Sequence, residues 1–204
     1  MAKKDMAVTI SAADRLLERL TDPLHRQIIE NYRRHAILEV CGEWEGIFAP
    51  DMTVEVPEYY FNFTGMDGVR AVGDEVKEIY RALSTGDATV ILVEDENLLV
   101  DDWGFASYSF FNHYMRGTNL ASRGIHGYDP EGYYVLREQF AMMWPYDGRG
   151  RMIGEHVFEN KPNQQILEIA PEDFLTVADA RARLLPMLRP LPVYDPTTRQ
   201  ATVG

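Results

Sequence analysis

Apolar residues recur every three to four positions over the first part of the chain, which is the spacing of an amphipathic helix. The longest such stretch follows the start signal Thr21–Pro23 and ends at Gly42, where a glycine can take the left-handed conformation that closes a helix. A short helix over 11–20 is predicted to precede it, and 43–48 resembles one more helical turn. A third helix is predicted over 69–83.

After these helices the pattern changes to an alternation of apolar and polar residues, which is typical of strands. The alternation begins with Met52, Val54 and Val56. Five further strands are predicted in the middle of the chain, at 88–94, 97–101, 104–116, 133–143 and 151–158. The chain is therefore predicted to combine N-terminal helices with long antiparallel strands.

Two segments lack this regularity. Residues 117–132 carry four glycines between two long strands, and connections of that length are usually lids, binding loops or disordered segments. Residues 174–185 are predicted to be helical, and a proline-rich tail follows them. We therefore expect one domain over 1–161 and a C-terminal segment over 162–204, whose apolar residues pack on that domain or on a neighbouring subunit.

The composition is that of an ordinary globular domain, and its charge excludes several classes of partner. Of the 204 residues, 46% are hydrophobic and 25% charged. A formal net charge of −12 argues against a basic nucleic-acid-binding protein and against a polybasic membrane-surface protein. Cys41 is the single cysteine, which excludes a disulfide framework and a thiolate zinc site. Without a long apolar run or the apolar core of a signal peptide, a cytoplasmic protein is expected.

Four short motifs follow one another in an order that is specific for one fold. They are Gly42–Trp44 at the end of the long helix, Phe48–Asp51 after it, Gly65–Gly68 before the third helix and Asp147–Gly150 before the final predicted strand. In this order the chain resembles the nuclear-transport-factor-2-like (NTF2-like) superfamily over about residues 20–160. That superfamily includes SnoaL-like polyketide cyclases, scytalone dehydratase and limonene epoxide hydrolase.

The resemblance implies an α+β fold in which a strongly curved antiparallel sheet wraps around the N-terminal helices to form a cone-shaped α+β barrel. The open mouth of such a cone is the ligand site, and enzymes of this superfamily usually catalyse acid–base reactions there without a cofactor. Many relatives carry Asp or Asn on the long helix four residues before the tryptophan, where this chain has Val40. A direct transfer of the dehydratase or hydrolase mechanism is therefore not implied.

Three polar residues share one face of the long helix and are candidates for acid–base chemistry. Tyr32, His35 and Glu39 are three and four residues apart, and His35 and Glu39 are close enough for a carboxylate to orient an imidazole. One interpretation is a His/Glu dyad that faces the cavity. The other, which the polarity of most helix faces favours, is a solvated surface.

Polar residues inside two apolar strands are further candidates. His113 is the only histidine in a strongly apolar strand, where it is either a hydrogen-bonded core residue or a polar group in the cone. Arg137 and Gln139 share one face of the next strand, and both are costly to bury without partners. We predict that they face the cavity, where Arg137 would hold a phenolate, carboxylate or oxyanion. A buried Arg137 needs a carboxylate or an anionic ligand, and the candidate carboxylates are Glu55, Glu138 and Glu155. On the outer face Arg137 would instead form an interface ion pair.

Aromatic residues complete the predicted site. Tyr59 and Tyr60 lie in an aromatic run that would form the rim of the cone, as a general acid or a stacking wall, or alternatively as an oligomer contact. The predicted catalytic residues are His113, Arg137, Tyr59, Glu55, Tyr32 and Glu39. The predicted substrate-binding residues are Tyr60, Phe63, Trp103, Phe111 and Gln139.

Together these features predict a cofactor-independent lyase that acts on a hydrophobic, hydroxylated aromatic small molecule by dehydration or retro-aldol C–C cleavage. The resemblance also suggests one branch, the lyases that convert lignin-derived diarylpropane diols into stilbenes with loss of formaldehyde. Alternatives are a polyketide-cyclase-like or epoxide-hydrolase-like enzyme, or a non-catalytic binding or assembly protein of the same fold. The five histidines show no metal-ligand spacing, so no metal is predicted. A homo-oligomer, dimer or trimer, is expected.

Overall fold

The long amphipathic helix is the element around which the rest of the chain folds. It is α2 (Pro23–Val40), and Asp22 caps it by accepting hydrogen bonds from two backbone N–H groups of its first turn. After the helix, Gly42 takes a φ of 70°, the left-handed conformation predicted for this position. Most residues of α2 are buried, because the sheet, α1 and the C-terminal segment surround it.

A computed structural model describes residues 3–85 and 90–203. Its helices are α1 (Ser11–Leu17), α2, α3 (Asp74–Thr85), α4 (Gly117–Ser122) and α5 (Val177–Leu184). Its strands are β1 (Glu58–Phe63), β2 (Met66–Val72), β3 (Ile91–Asp101), β4 (Gly104–Arg116), β5 (Tyr133–Pro145), β6 (His156–Glu159), β7 (Gln165–Glu168), β8 (Pro192–Asp195) and β9 (Gln200–Val203). Short 3-10 helices lie at Met6–Ile10, Trp44–Phe48, Lys161–Asn163, Pro171–Asp173 and Leu185–Met187.

Seven strands form one sheet in the order β2-β1-β6-β5-β4-β3, with β7 paired to one end of β5. All pairs are antiparallel except β1 with β6. The helices cover the concave face of this curved sheet, so the predicted α+β architecture is confirmed. The hairpin β8–β9 is separate from the sheet and lies against α2.

The core lies between α2 and the concave face of the sheet. Ile28 and Ile29 from the helix and Phe105 from β4 have no exposed surface, and they pack with Tyr59 from β1. A second buried cluster joins the C-terminal end of α2 to the C-terminal segment through Ile37, Leu175 and Leu184. Burial of one such Leu or Ile side chain stabilises the fold by roughly 1.5–3 kcal/mol.

Several predicted element boundaries are wrong, and each error has a local cause. Residues 52–56 do not form a strand, although Thr53 makes one isolated bridge. The third helix starts at Asp74 and not at 69, because 69–72 pair with β1 and Gly73 turns the chain with a φ of 60°. The predicted strand 151–158 shortens to β6.

In two other places the structure is more continuous or more regular than the sequence predicts. The strands predicted at 88–94 and 97–101 are one strand, β3, with a bulge at Asp95, where φ is 54°. Part of the first of them, 88–89, lies outside the described residues. The irregular segment 117–132 begins with α4, whose first residue, Gly117, is so close to Asp129 that a Cβ there would lie 1.9 Å from its carbonyl oxygen.

The C-terminal segment is packed against the rest of the chain. Strand β7 extends the sheet beside β5, and α5 contacts both α2 and the first 3-10 helix. Arg181 donates a hydrogen bond to the carbonyl oxygen of Cys41, at the end of α2. The division at residue 161 stays a prediction. Within the described residues, no helix is both long enough and apolar enough to span a bilayer.

Candidate active site

A cavity of about 440 Å³ lies between α2, α3 and the concave face of the sheet. Its walls are mostly apolar and aromatic, and a few polar side chains converge on it, as is typical of small-molecule sites. The aromatic walls are Phe61, Phe63, Phe111, Phe140 and Trp144. The polar groups fall into two clusters, one at the helices and one at the sheet and α4.

The first cluster joins two carboxyl groups to one imidazole and one phenol. Nε2 of His35 lies 3.4 Å from Oε1 of Glu155 and 3.7 Å from Oε2 of Glu39. The Tyr80 hydroxyl donates a hydrogen bond to Glu155 at 2.8 Å and lies 3.0 Å from Nε2 of His35. All four side chains line the cavity.

Three separate elements hold this cluster in place. His35 and Glu39 are one helical turn apart on α2, Tyr80 comes from the buried face of α3, and Glu155 directly precedes β6. Gly154 allows Glu155 to reach this position, because a Cβ at residue 154 would lie 1.8 Å from the carbonyl oxygen of Glu58. The edge of the Trp144 ring packs against His35, with ring centroids 4.7 Å apart.

Burial sets the protonation of the cluster. Desolvation lowers the pKa of His35 to about 3, so the imidazole is neutral at physiological pH. Desolvation also raises the pKa of Glu39 to about 7. The pKa of Glu155 is raised well above its ordinary value, by burial and then by the neighbouring Glu39 carboxylate. The cluster therefore contains, at neutral pH, one carboxyl group that readily ionises and one that keeps its proton.

A tyrosine–carboxyl pair extends the first cluster along α2. The Tyr32 hydroxyl donates a hydrogen bond of 2.5 Å to Glu96, which is buried at the bulge of β3. Desolvation raises the pKa of Glu96 to about 7, and desolvation together with Glu96 raises the pKa of Tyr32 well above its ordinary value. The Tyr32 side chain lines the cavity, whereas Glu96 lies behind it.

The second cluster lies where the cavity meets α4. Nε2 of His113 is 3.1 Å from Oε2 of Glu138, and the Arg123 guanidinium donates a hydrogen bond of 3.2 Å to the same oxygen. Burial raises the pKa of Glu138 to about 7. Burial, and then the charge of Arg123, hold the pKa of His113 well below its ordinary value. His113 is therefore a neutral imidazole as well.

Five of the residues predicted from the sequence line the cavity. They are Tyr32, Glu39, Phe63, Phe111 and His113. Tyr59 is fully buried just behind Glu155, and its hydroxyl lies 3.6 Å from the sulfur of Met152. It does not line the cavity.

Five other predicted site residues lie elsewhere. Arg137 and Gln139 are on the outer face of β5, so the prediction that they face the cavity is wrong. Arg137 pairs there with Glu94 and packs over the Phe110 ring, and Gln139 accepts a hydrogen bond from Asn160. Alternate residues of β5 point to opposite faces of the sheet, and Arg137 and Gln139 lie on the face opposite to the cavity-lining residues Phe140 and Met142.

The remaining three are on the surface. Glu55 lies in the loop before β1, exposed and paired with Arg151. Tyr60 points away from the cavity and donates a hydrogen bond to Glu58. Trp103 is exposed in the turn between β3 and β4. The predicted placement of these residues in or around the ligand site is therefore wrong. Tyr60 points outward because neighbouring residues of a strand alternate between its faces, and Glu55 and Trp103 lie in surface connections outside the strands.

Several cavity residues were missing from the predicted site. His35 was considered as a dyad partner, and its spacing from Glu39 was the correct signal. Tyr80 lies on the apolar side of a strongly amphipathic helix, where a core role is the ordinary expectation. Arg123 lies in the glycine-rich segment that was expected to be a lid or binding loop, and α4 brings it to the cavity. Glu155 is predicted only as one possible carboxylate partner of Arg137, and the structure places it beside His35 instead.

A metal site requires several ligand atoms close enough together to share one ion. Within 3–85 and 90–203, the group whose ligand atoms lie close enough to share an ion is His25, Asp101 and Asp102. This group is on the surface, and none of its members lines the cavity.

Comparison of the sequence with models of known families and with curated proteins gives no match. Solved structures do match. An NTF2-like protein from Anabaena variabilis has 13% identity and a TM-score of 0.50, over 70% of this chain and 92% of its own. A candidate polyketide cyclase from Xanthomonas campestris pv. campestris has 13% identity and a TM-score of 0.51, over 68% and 94%. A candidate SnoaL-like polyketide cyclase from Jannaschia sp. CCS1 has 13% identity and a TM-score of 0.50, over 71% and 92%.

These matches show the fold alone. At 13% identity they carry no information about substrate or activity. They agree with the overall α+β architecture described above. The resemblance predicted from the sequence motifs is thus confirmed at this level, and the chain has the NTF2-like fold.

Proposed function

We propose that the protein is a cofactor-independent lyase that eliminates a hydroxyl group from a hydrophobic, hydroxylated aromatic small molecule. The observation that carries this proposal is the first cluster. Two carboxyl groups with separated pKa values and a neutral imidazole face one largely apolar cavity. Pairs of titratable groups whose surroundings separate their pKa values are the usual basis of acid and base roles.

In a dehydration, Glu39 is the general base and Glu155 the general acid. Ionised Glu39 takes a proton from the carbon next to the hydroxyl-bearing carbon, and the electron pair of that C–H bond forms the C=C bond. The C–O bond breaks as Glu155 gives its proton to the departing hydroxyl, which leaves as water. Between turnovers Glu39, whose pKa is about 7, loses the proton it has taken to water, and Glu155 regains a proton from water. Neutral His35 lies between the two carboxyl groups and holds them in position.

The same two groups support a deformylating cleavage. Glu39 then takes the proton of a terminal hydroxyl, the adjacent C–C bond breaks, and formaldehyde leaves. The electron pair of that bond forms the C=C bond and expels a second hydroxyl, which Glu155 protonates to water. A diarylpropane-1,3-diol gives a stilbene, formaldehyde and water in this way, so the atoms balance without an oxidant. We include such lignin-derived diols among the proposed substrates.

The test is incubation of the purified protein with aryl alcohols and diarylpropane diols in the presence of a metal chelator, with products identified by mass. Loss of water, alone or with formaldehyde, supports the proposal. We expect E39Q to lower kcat by ~10²–10⁴-fold. E43Q is the matched control, because Glu43 lies just after the end of α2, exposed and paired with Arg181. Absence of elimination products, or full activity of E39Q, would overturn the proposal.

A further inference from the structure

We propose that the second cluster, His113 with Arg123 and Glu138, is a recognition site for a neutral hydroxyl group carried on an aromatic ring. The substrate would thus be a phenol whose hydroxyl is held at the end of the cavity formed by the sheet and α4. This inference rests on the proposed function, to which it adds the class of substrate and its mode of binding.

The first observation is that His113 lacks hydrogen bonds. Its side chain lines the cavity and is only 6% exposed, yet neither ring nitrogen makes a hydrogen bond with any described residue. Glu138 is near Nε2 but outside hydrogen-bonding geometry. A buried polar group without a partner is costly, and native structures generally satisfy such groups. The unpartnered imidazole therefore indicates a polar group of a ligand.

The chemistry of the imidazole indicates which polar group. A neutral imidazole offers one donor and one acceptor, and a hydroxyl group can both donate and accept. A phenol hydroxyl donates to a bare nitrogen or accepts from a protonated one, so it can pair with the ring nitrogen that it meets in either tautomer. A carboxylate can only accept, and a ligand without polar atoms leaves both nitrogens unpaired.

The charges around His113 argue against an anionic group. Arg123 is the only cation of this cluster, and it is already hydrogen-bonded to Glu138. Gln164 lies 3.5 Å from the other Glu138 oxygen and donates a 2.9 Å hydrogen bond to Glu159, which places a second carboxyl group beside the first. Even with Glu138 protonated, Glu159 balances the charge of Arg123. A carboxylate ligand would meet no uncompensated positive charge.

Aromatic side chains next to His113 indicate that the hydroxyl is carried on a ring. The ring centroids of Phe111 and Phe140 lie 6.1 and 6.3 Å from that of His113. Phe63 packs against Phe140 at 5.7 Å, and all three phenylalanines line the cavity. Such walls favour a flat aromatic group by edge-to-face and offset contacts.

The experiment compares three probes that differ only at one position: 2-naphthol, naphthalene and 2-naphthoate. Dissociation constants are measured by calorimetry with the full-length chain at pH 7. We expect 2-naphthol to bind about five- to tenfold more tightly than naphthalene, the gain of about one net hydrogen bond, and more tightly than 2-naphthoate. Equal affinities, tightest binding of the carboxylate or no binding of any probe would overturn the proposal.

Variants assign the preference to His113. H113L removes both nitrogens, so we expect 2-naphthol to lose its advantage while naphthalene binds as before. H126L, an exposed histidine in the same irregular segment as Arg123, is the matched control and should keep the preference. Should H113L not fold, ¹⁵N shifts of the His113 ring in the wild-type chain answer the question. They should respond to 2-naphthol and not to naphthalene, and unchanged shifts with 2-naphthol would overturn the assignment.

Binding without turnover keeps this inference separate from the proposed function. Elimination activity without a preference for 2-naphthol refutes the recognition site and leaves the lyase. A preference for 2-naphthol with no elimination from any aryl alcohol refutes the lyase and leaves the recognition site.

Discussion

Glu39 and Glu155 share one imidazole, but their surroundings give them different acidities. Glu39 reaches the cavity from the last turn of α2 with its side chain 23% exposed, whereas Glu155 is only 8% exposed and receives a hydrogen bond from Tyr80. The more buried carboxyl group keeps its proton to higher pH, because desolvation penalises the charged form. The assignment of base and acid follows from this difference.

The assignment predicts a pH dependence of catalysis. Because Glu39 acts as a base with a pKa of about 7, kcat/KM should rise as pH increases through about 7. Substitution E155Q removes the acid and should lower kcat at every pH while leaving the rise near pH 7. The measurement is kcat/KM between pH 5 and 9 with the product-mass assay. A rate that falls through pH 7 in the wild type would contradict the assignment.

Glu96 predicts a pH dependence of stability. Its pKa is raised to about 7 in the folded state, so between pH 4.5 and 7 the folded protein holds a proton that the unfolded chain has lost. The Glu96 contribution to the free energy of unfolding should therefore fall as pH rises over this interval. E96Q keeps a hydrogen-bond acceptor for Tyr32 and should flatten this dependence, as measured by urea unfolding.

Glu94 is the control for Glu96, because its pKa in the folded state is shifted in the opposite direction. Burial raises its pKa, but Lys4 and Arg137 more than offset this, so the pKa of Glu94 is lowered in the folded state. E94Q should leave the pH dependence of stability between pH 4.5 and 7 unchanged. As pH falls below 4.5, the free energy of unfolding should decrease less for E94Q than for the wild type. Identical pH profiles of E96Q and the wild type would exclude the raised pKa of Glu96.

At the residue scale, sequence spacing predicts which side chains share a face but not which face is covered. Helical spacing placed Tyr32, His35 and Glu39 together, and the cavity lies on their side of α2. In β5 both faces are semi-apolar, so the pattern could not show that Arg137 lies outside. The sequence indicates Glu155 only as a possible partner of Arg137, because its place beside the cavity depends on the close pairing of Gly154 with β1.

At the element scale, long periodic segments were predicted well and short ones were not. The bounds of β4 agree with the prediction at both ends, and α2 fills the predicted helix. Errors lie at 52–56, at 69–72 and at 151–155, where short apolar stretches occur next to glycine or proline. In such stretches pairing with distant parts of the chain determines whether a strand, a loop or a helix forms. The local sequence pattern does not show which distant segments will pair.

The pairing of β1 with the chain before β6 gives a prediction at this scale. A Cβ at Gly154 would lie 1.8 Å from the carbonyl oxygen of Glu58, so G154A must push these segments apart. We expect a loss of stability of about 3 kcal/mol or more, because the contact is with backbone and cannot relax cheaply. The measurement is the midpoint of thermal unfolding.

Gly148 is the matched control for this substitution. It lies in the turn before β6, and a Cβ there would have no heavy atom within 4 Å. G148A should therefore unfold within a few degrees of the wild type. Equal midpoints for G154A and G148A would show that the two segments are not as close as the structure places them.

At the scale of the whole molecule, the structure changes where an oligomer contact is expected. The sequence argument relied on apolar side chains of the C-terminal segment, but Leu175 and Leu184 are buried within the chain itself. The expected homo-oligomer stays a prediction, and its best-supported interface now lies elsewhere. It is the outer face of the sheet, which the helices leave open.

Over β3, β4, β5, β6 and β1, the outer face carries two adjacent cross-strand rows without a carboxylate, lysine or arginine. Arg70 of β2 lies beside Tyr60, at the end of one of them. One row contains Leu99, Ala106, Met143, His156 and Tyr60. The other row contains Asn97, Tyr108, Ala141, Phe158 and Asn62. The two rows combine apolar side chains with uncharged polar ones. Such an uncharged surface is unusual on a chain of net charge −12, and exposed patches of this type commonly mark interfaces.

We therefore expect the chain to form a dimer or trimer through this outer face, with Met143 near the centre of the patch. M143E places a charge between apolar neighbours of both subunits, and burying that charge unpaired would cost more than the contact provides. The mass in solution, measured by sedimentation at micromolar concentration, should fall to that of one chain. E45Q, at an exposed position away from the sheet, should keep the mass of the wild type. A wild-type chain that is already monomeric, or an M143E variant of unchanged mass, would contradict this interface.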